Sequence, residues 1–306
     1  MVYGQKEDSN FVTNYRDDIS LGIFYENESL GFEVRDRYSP LILDYKPNNN
    51  QRVGLGFNYK FLGLRLGTNR PFSGQELETK GKTESFDFRT TVFLRKVTFE
   101  LLALKYDGFY IKNTKELWPK WKDGDYFKRP DLQAFSVGFN NHFIFNGKRY
   151  SMRSIISQNE GQKKSAGSFL LKYGFRYLHL KSDSSLIPRD FHSQFAVKKE
   201  TTNAQFRVIG IASGYGHTFV IKGFYIALGL LPGMTLQQHV MVRQDNSRDH
   251  KFALNVKLQS WGGIGYDSHR FFVGLVYTSD VYYFKLRNSK FNFGVNELTA
   301  RIGTRF

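Results

Sequence analysis

Large apolar residues recur at every second position through most of this chain, and that period leaves room for little besides β-strands. Val53, Leu55, Phe57 and Tyr59 alternate with Gly54, Gly56, Asn58 and Lys60. Phe86, Phe88, Thr90, Val92 and Leu94 alternate with Asp87, Arg89, Thr91 and Arg95. The same rhythm runs through Phe169–Tyr177, Phe224–Leu230, Phe252–Leu258 and Leu298–Phe306. Side chains of a strand point alternately to its two faces, so each segment has one apolar face and one small or charged face. No stretch of similar length carries a 3.6-residue period, and the chain reads as all-β.

The composition says which way the apolar faces look. A soluble sandwich turns them inward, whereas a membrane barrel turns them to lipid and keeps a polar lumen. Here the polar faces carry Gly, Arg, Lys, Asp and Glu together, as a crowded lumen of paired charges would. The apolar faces are rich in Phe and Tyr, which number 30 and 18, as lipid-facing bands with aromatic girdles are. Phe306 ends the chain on the apolar face of an amphipathic strand, like the signal that outer-membrane barrels present to their insertion machinery. The expected fold is a transmembrane antiparallel up-and-down β-barrel. A mean hydropathy of −0.45 does not oppose this, because half of each barrel strand is polar.

Other classes fall away. The most apolar run, beginning at Phe224, stops at Pro232, short of the roughly 20 residues of a spanning helix. The first five residues show no export signal, so the chain is either cytoplasmic or has lost its signal; the strands favour export to the outer membrane of a Gram-negative bacterium. The absence of Cys removes disulfides, Cys-bound metals and thiol chemistry. A net charge of +16 invites a nucleic-acid reading. Stacking and phosphate contact need aromatics and cations on one face, however, and here they lie on opposite faces, so no nucleic acid is expected.

The period places strands near 39–46, 51–60, 61–68, 84–95, 97–111, 132–145, 149–158, 167–180, 191–199, 204–219, 223–240, 251–265, 270–281 and 296–306. That makes about fourteen, within a range of twelve to sixteen. The strand at 191–199 is included so that 167–180 and 204–219 run in opposite directions. The segment 19–36 supplies a further hairpin or an extension. Tight polar turns at 95–96, 146–148, 222–223 and 267–269 mark one end, and longer connections mark the other. Outer-membrane barrels keep short turns in the periplasm. Residues 1–18 are then a periplasmic segment and 19–306 a single barrel domain.

Several groups of residues are candidates for function. Arg65, Arg89, Arg95, Arg153, Lys172, Arg176, Lys257, Arg301 and Arg305 are assigned to the lumen, with the acids Asp87, Glu100 and Glu297. An open lumen of this sign would favour anions; in a plugged one, Arg–carboxylate networks would brace the wall. Bulky inward Tyr225 and Trp261 lean towards the plugged form. Trp118 and Trp121 stand in a long loop that either docks a partner or folds onto the barrel mouth. The run Gln162, Lys163, Lys164, Ser165, Ala166, Gly167, Ser168, Phe169 is either a holder of phosphate or lipopolysaccharide headgroups or a polar loop entering a strand.

Gly54–Lys60 followed by Leu64, Arg129-Pro-Asp131, Phe145-Asn146 before Tyr150-Ser151, Gln162–Phe169 and Gly214–Val220 together resemble a family of uncharacterised outer-membrane proteins of Bacteroidota-type bacteria. The blocks span roughly 40–306. The resemblance implies an outer-membrane β-barrel and no activity, since the family is named only as a domain of unknown function.

No catalytic constellation stands out. None of the seven histidines has an i, i+4 partner of the kind a helical metal site uses. His217 shares a face with Tyr215 and Phe219, and no serine is fixed near it or near His142. The expectation is a non-enzyme without cofactor or metal, acting as a subunit of a larger outer-membrane assembly that handles barrel insertion, secretion or surface lipoproteins. Its expected partners are outer-membrane lipid and lipopolysaccharide, other outer-membrane proteins, and the insertion machinery during biogenesis. A small-solute or anion pore is the first alternative and an envelope lipid-modifying enzyme the second.

Overall fold

The computed structural model describes residues 7–36, 41–48, 51–60, 62–156, 158–193, 200–285 and 289–306. Fifteen strands occur in these residues: β1 Val12–Asn14, β2 Ser20–Asp36, β3 Ile42–Lys46, β4 Gln51–Tyr59, β5 Leu62–Asn69, β6 Glu84–Phe93, β7 Val97–Ile111, β8 Phe127–Ile144, β9 Glu160–Gln162, β10 Ala166–Lys181, β11 Thr201–Ile221, β12 Phe224–Arg243, β13 Arg248–Asp267, β14 Phe271–Lys285 and β15 Ser289–Arg305. Three short helices, α1 Gly74–Lys80, α2 Thr114–Leu117 and α3 Arg153–Ile156, lie in connections.

Twelve strands close an antiparallel ring in the order β2, β4, β5, β6, β7, β8, β10, β11, β12, β13, β14, β15, and β15 pairs back onto β2 from Arg305↔Ser20 to Ser289↔Asp36. Closure pairs nearly every strand edge, as a lipid-embedded sheet requires; the exception is β5 against β6, which among the described residues share only Leu62↔Val92 and Gly63↔Thr91. Higher in the wall, β3 pairs with β2 through Phe32↔Tyr45 to Arg35↔Ile42 and with β7 through Tyr45↔Ile111. There β3 takes the place of β4, while β5 and β6 drop out. The ring of twelve therefore narrows to ten at the long-loop end.

Alternation places the residues as the sequence implies. Leu55, Phe169 and Phe252 are each 68% exposed on the outside, with Leu66, Phe86, Ile209, Ile226 and Leu254 in the same band. Lys172, Arg176, Lys257 and Glu297 are buried inside. Where the connections are tight, the backbone shows why. Lys222 and Gly223 both have positive φ, at 50° and 85°, as a two-residue hairpin turn between twisted strands requires.

Three expectations change. Residues 19–36 contribute one long wall strand, β2. Residues 149–158 are not wall: after Asn146 the chain turns, forms α3 and runs inside the barrel through the described residues from Tyr150 to Gln162, returning to the surface at Lys163 before β10. With that segment inside, β8 and β10 become direct antiparallel neighbours, and so do β10 and β11. No strand at 191–199 is then needed to set the directions; of that stretch, 194–199 lie outside the described residues. The expected tight turn at 146–148 is instead the start of a connection running from 145 to 165.

Candidate functional site

The lumen is filled at two levels by the chain itself, with a charged layer between them. At the end that carries the short turns and Phe306, the described residues from Tyr150 to Gln162 form a plug. It is tied to the N-terminal segment by β1 and β9, whose register runs Val12↔Gln162 to Asn14↔Glu160. Glu160, fully buried, is the centre of this plug. It lies 2.7 Å from Arg95, 3.0 Å from Arg153 and 3.8 Å from Arg16, and it accepts a 2.6 Å hydrogen bond from Ser151 Oγ. Burial pulls the Arg153 guanidinium down to about 10, against the opposing pull of Glu160. Arg95 also donates to the Gly147 carbonyl and Arg153 to that of Phe93, which fastens the plug to the turn end of the wall.

Arg305 completes the seal. It donates to the Gln158 carbonyl at 2.6 Å and to Asp267 at 2.7 Å, and its guanidinium lies 4.0 Å from the Tyr15 ring centroid. Arg301 donates to the Ile156 carbonyl, and Gln158 donates to Tyr225 Oη at 3.1 Å.

The middle layer consists of ion pairs across the lumen. Glu297 on β15 bridges Arg65 at 3.2 Å and Arg89 at 2.5 Å, while Asp87 joins Arg89 at 3.0 Å and Arg52 at 3.2 Å. Arg65 also binds Glu26. Across the barrel, Asp280 on β14 holds Lys172 at 2.8 Å and Lys257 at 3.0 Å. Glu100 accepts from Asn140 Nδ2 at 2.8 Å. The ring nitrogens of His142 lie 3.2 Å from Thr98 Oγ1 and 3.3 Å from Gln259 Oε1. Above this layer, Phe32, Tyr45, Phe206, Phe284, Phe291 and Phe293 pack into one buried cluster, with Phe206 and Phe284 ring centroids 4.5 Å apart.

All twelve charges assigned to the lumen face it or its closing plug. Arg95 does so from a turn and Arg153 from α3, rather than from wall strands as expected. Sequence reasoning missed Glu26, Arg52, Asp280 and Glu160. The first three lie in phase with inward neighbours and were legible from alternation. Glu160 was not, because the plug has no period. The 162–169 run splits by role. Gln162 is a plug residue whose amide donates to the carbonyls of Arg149, Lys164 and Phe11. Lys163 and Lys164 are exposed beside the N-terminal segment, and Lys163 Nζ donates to the Ser9 carbonyl at 3.1 Å. They sit at the end opposite the long loops. Ser165 accepts from the Val220 amide, Ala166 is buried, and Gly167 pairs with His217. Ser168 Oγ accepts from the Asn146 amide, and Phe169 points outward.

Trp118 and Trp121 fold onto the mouth. Trp118 stacks on Phe127 at 5.0 Å, meets Phe191 edge-on at 4.7 Å and donates to Asp190 at 2.8 Å; Trp121 packs on the same Phe127. Phe306 is 74% exposed on the outer surface, its backbone paired with Ile19. Among the described residues, no group of three or more His, Asp or Glu is placed to hold a metal ion.

A family model described as a domain of unknown function, DUF4421, matches residues 6–306. No curated protein matches the chain. Among solved structures, the outer membrane protease OmpT of Escherichia coli is similar at 8% identity and a TM-score of 0.42, over 96% of this chain and 98% of that one. The toluene transporter TodX of Pseudomonas putida is similar at 8% identity and a TM-score of 0.31, over 100% and 99%. The attachment invasion locus protein Ail of Yersinia pestis is similar at 10% identity and a TM-score of 0.24, over 95% and 99%.

Proposed function

We propose, for a chain that belongs to the DUF4421 family, a non-enzymatic and non-conducting role as an integral barrel in the outer membrane of a Gram-negative, Bacteroidota-type bacterium. It serves there as a subunit of a larger assembly concerned with barrel insertion, secretion or surface lipoproteins. One observation carries this reading: the lumen is filled by the chain's own residues at both levels, by the Glu160-centred plug at one end and the aromatic cluster at the other. A barrel that offers solutes no path contributes its outer wall and its rim. Its partners are then bilayer lipid, lipopolysaccharide at the long-loop end, neighbouring outer-membrane proteins, and the insertion machinery that reads Phe306.

The deciding experiment is purification from native membranes in mild detergent, followed by mass spectrometry. A stoichiometric protein neighbour is the expected result, and a barrel that always runs alone sinks the proposal. Planar-bilayer recordings of the purified protein are expected to be silent; a steady open level would favour the small-solute or anion pore instead. The lipid-enzyme reading has less support, since both ring nitrogens of His142 are held by Thr98 and Gln259.

A further inference from the structure

Between plug and aromatic cluster the lumen keeps a cavity of about 140 Å³, room for several waters or one tetrahedral oxyanion. Its lining is not charge-balanced. Five cations, Arg65, Arg89, Lys172, Arg176 and Arg301, face it with three carboxylates, Glu100, Asp280 and Glu297. Two carboxylates are paired with other cations, Glu297 with Arg65 and Arg89 and Asp280 with Lys172 and Lys257, while Glu100 accepts from the neutral amide of Asn140. Arg176 and Arg301 are left over. Among the described residues neither has an ion-pair partner within 4.0 Å. Two buried nitrogens of Arg176, Nε and Nη1, and Nε of Arg301 have no hydrogen-bond partner. Arg176 is 4% exposed and lies 5.1 Å from the Tyr282 ring centroid, so its position is fixed by packing.

A buried guanidinium with no carboxylate in contact is costly, and an ionisable group kept at membrane depth marks a functional site when no structural partner accounts for it. We propose that Arg176 binds a phosphate-type oxyanion in this cavity, with the charge of Arg301 at the plug end adding attraction. The planar fork of a guanidinium suits the tetrahedral array of oxygens, and Nε and Nη1 of Arg176 each gain a charge-assisted hydrogen bond. The proposal does not depend on the assembly role above.

The wall is weakly paired beside this cavity. Strands β5 and β6 share only two backbone ladder pairs, Leu62↔Val92 and Gly63↔Thr91. Continuing that register sets Arg65 opposite Arg89 and Asn69 opposite Ser85, and the last two are joined by a 2.8 Å side-chain hydrogen bond. Between these fastenings lies a seam without ladder pairs among the described residues. Both of its inward arginines also line the cavity. A free phosphate and the phosphate of a lipid headgroup share the chemistry that this site recognises, and the seam faces the bilayer.

The test uses the full-length barrel in octyl glucoside without phosphate or sulfate. In one arm, inorganic phosphate is titrated by calorimetry. In the other, phosphatidylglycerol is added to the micelles and retained lipid is counted by native mass spectrometry. One phosphate-bearing ligand per barrel is expected. Its affinity should fall about tenfold or more in Arg176→Gln, from lost charge-assisted hydrogen bonds, and less in Arg176→Lys and in Arg301→Gln, the last from lost charge alone. Lys163→Gln, at the exposed turn end, should bind as wild type does. Saturation by phosphate alone assigns the free ion, and retention of phosphatidylglycerol alone assigns the headgroup. Absence of stoichiometric binding in both arms, or binding that survives both glutamine substitutions, overturns the proposal. Should Arg176→Gln fail to fold, wild-type stoichiometry and Arg301→Gln decide.

Discussion

Glu160→Gln tests whether the plug is held by charge. The substitution keeps the shape and hydrogen-bonding reach of the side chain and removes only its charge. Arg95 and Arg153 then remain buried within 2.7 and 3.0 Å of a neutral amide, with Arg16 close by. Breaking a buried pair by removing one partner costs about 3–5 kcal/mol, because the surviving charge has lost both water and counter-ion. Burial already penalises the Arg153 charge, and Glu160 supplies the pull against it. The penalty falls on the plug rather than on the wall, whose strands keep their ladders. Amide hydrogen exchange resolves the two. Protection of 150–162 is expected to drop by roughly 10²- to 4 × 10³-fold, at about 1.4 kcal/mol per tenfold, while β11 and β12 stay as in wild type. Conductance should not appear, because the aromatic cluster still closes the other end. The control is Glu84→Gln, whose partner Lys82 is 65% exposed; water screens such a surface pair, so its loss should leave plug exchange as in wild type. Wild-type exchange of the plug in Glu160→Gln would refute the argument.

A Cβ added at Gly229 would lie 2.0 Å from the Trp261 ring, so Gly229→Ala should destabilise the barrel by about 1–3 kcal/mol, read as an earlier heat-induced shift on cold-loaded gels. Phe306→Ala should leave the stability of the purified barrel within about 0.5 kcal/mol, since the ring is exposed, yet lower the amount inserted in cells; equal insertion would remove its role as a signal. Desolvation raises the Glu7 carboxyl, but hydrogen bonds from its own backbone amide and from Asn14, with the charge of Arg16, outweigh it and hold the group below its usual 4.5. Its contribution is therefore complete above that value and is lost as pH falls through the lowered one, so exchange at Val12–Asn14 should quicken on acidification below about pH 4.5 and stay flat between pH 6 and 8.

Alternation made the wall legible because a barrel strand has two solvents, lipid and lumen, and every side chain must choose. Arg65, Asp87, Arg89, Lys172, Arg176, Lys257, Glu297 and Arg301 all fall where that rule puts them. The plug escaped because it has only one surrounding. Tyr150, Met152 and Ile155 are buried, and so are Ser151, Arg153 and Ser154 between them, leaving no face for a period to mark. The ion pairs were legible only in half. Sequence phase gives the direction of a side chain, whereas Glu297 meeting Arg65 and Arg89 depends on closure of β15 onto β2.

The change in strand number explains why one chain uses two kinds of filling. A barrel's width grows with its strands, and about eight leave an interior that side chains alone can occupy. At the long-loop end the ring has ten strands, and large rings such as Phe32, Phe206, Phe284 and Phe293 meet across it. Below, β5 and β6 widen the ring to twelve, beyond what side chains span, and the backbone itself enters as α3 and β9. The seam between β5 and β6 belongs to the same step. Like charges facing each other across a strand pair weaken it, and Arg65 and Arg89 face each other there, held in place by Glu297 from the opposite side of the closure. Neutralising Glu297 should therefore loosen this seam before any other part of the wall, and cysteines at Leu66 and Phe88, in a chain that has none of its own, would report the loosening as a lower cross-linking rate. Unchanged cross-linking in Glu297→Gln would break the connection drawn here between ring width, lumen charge and seam.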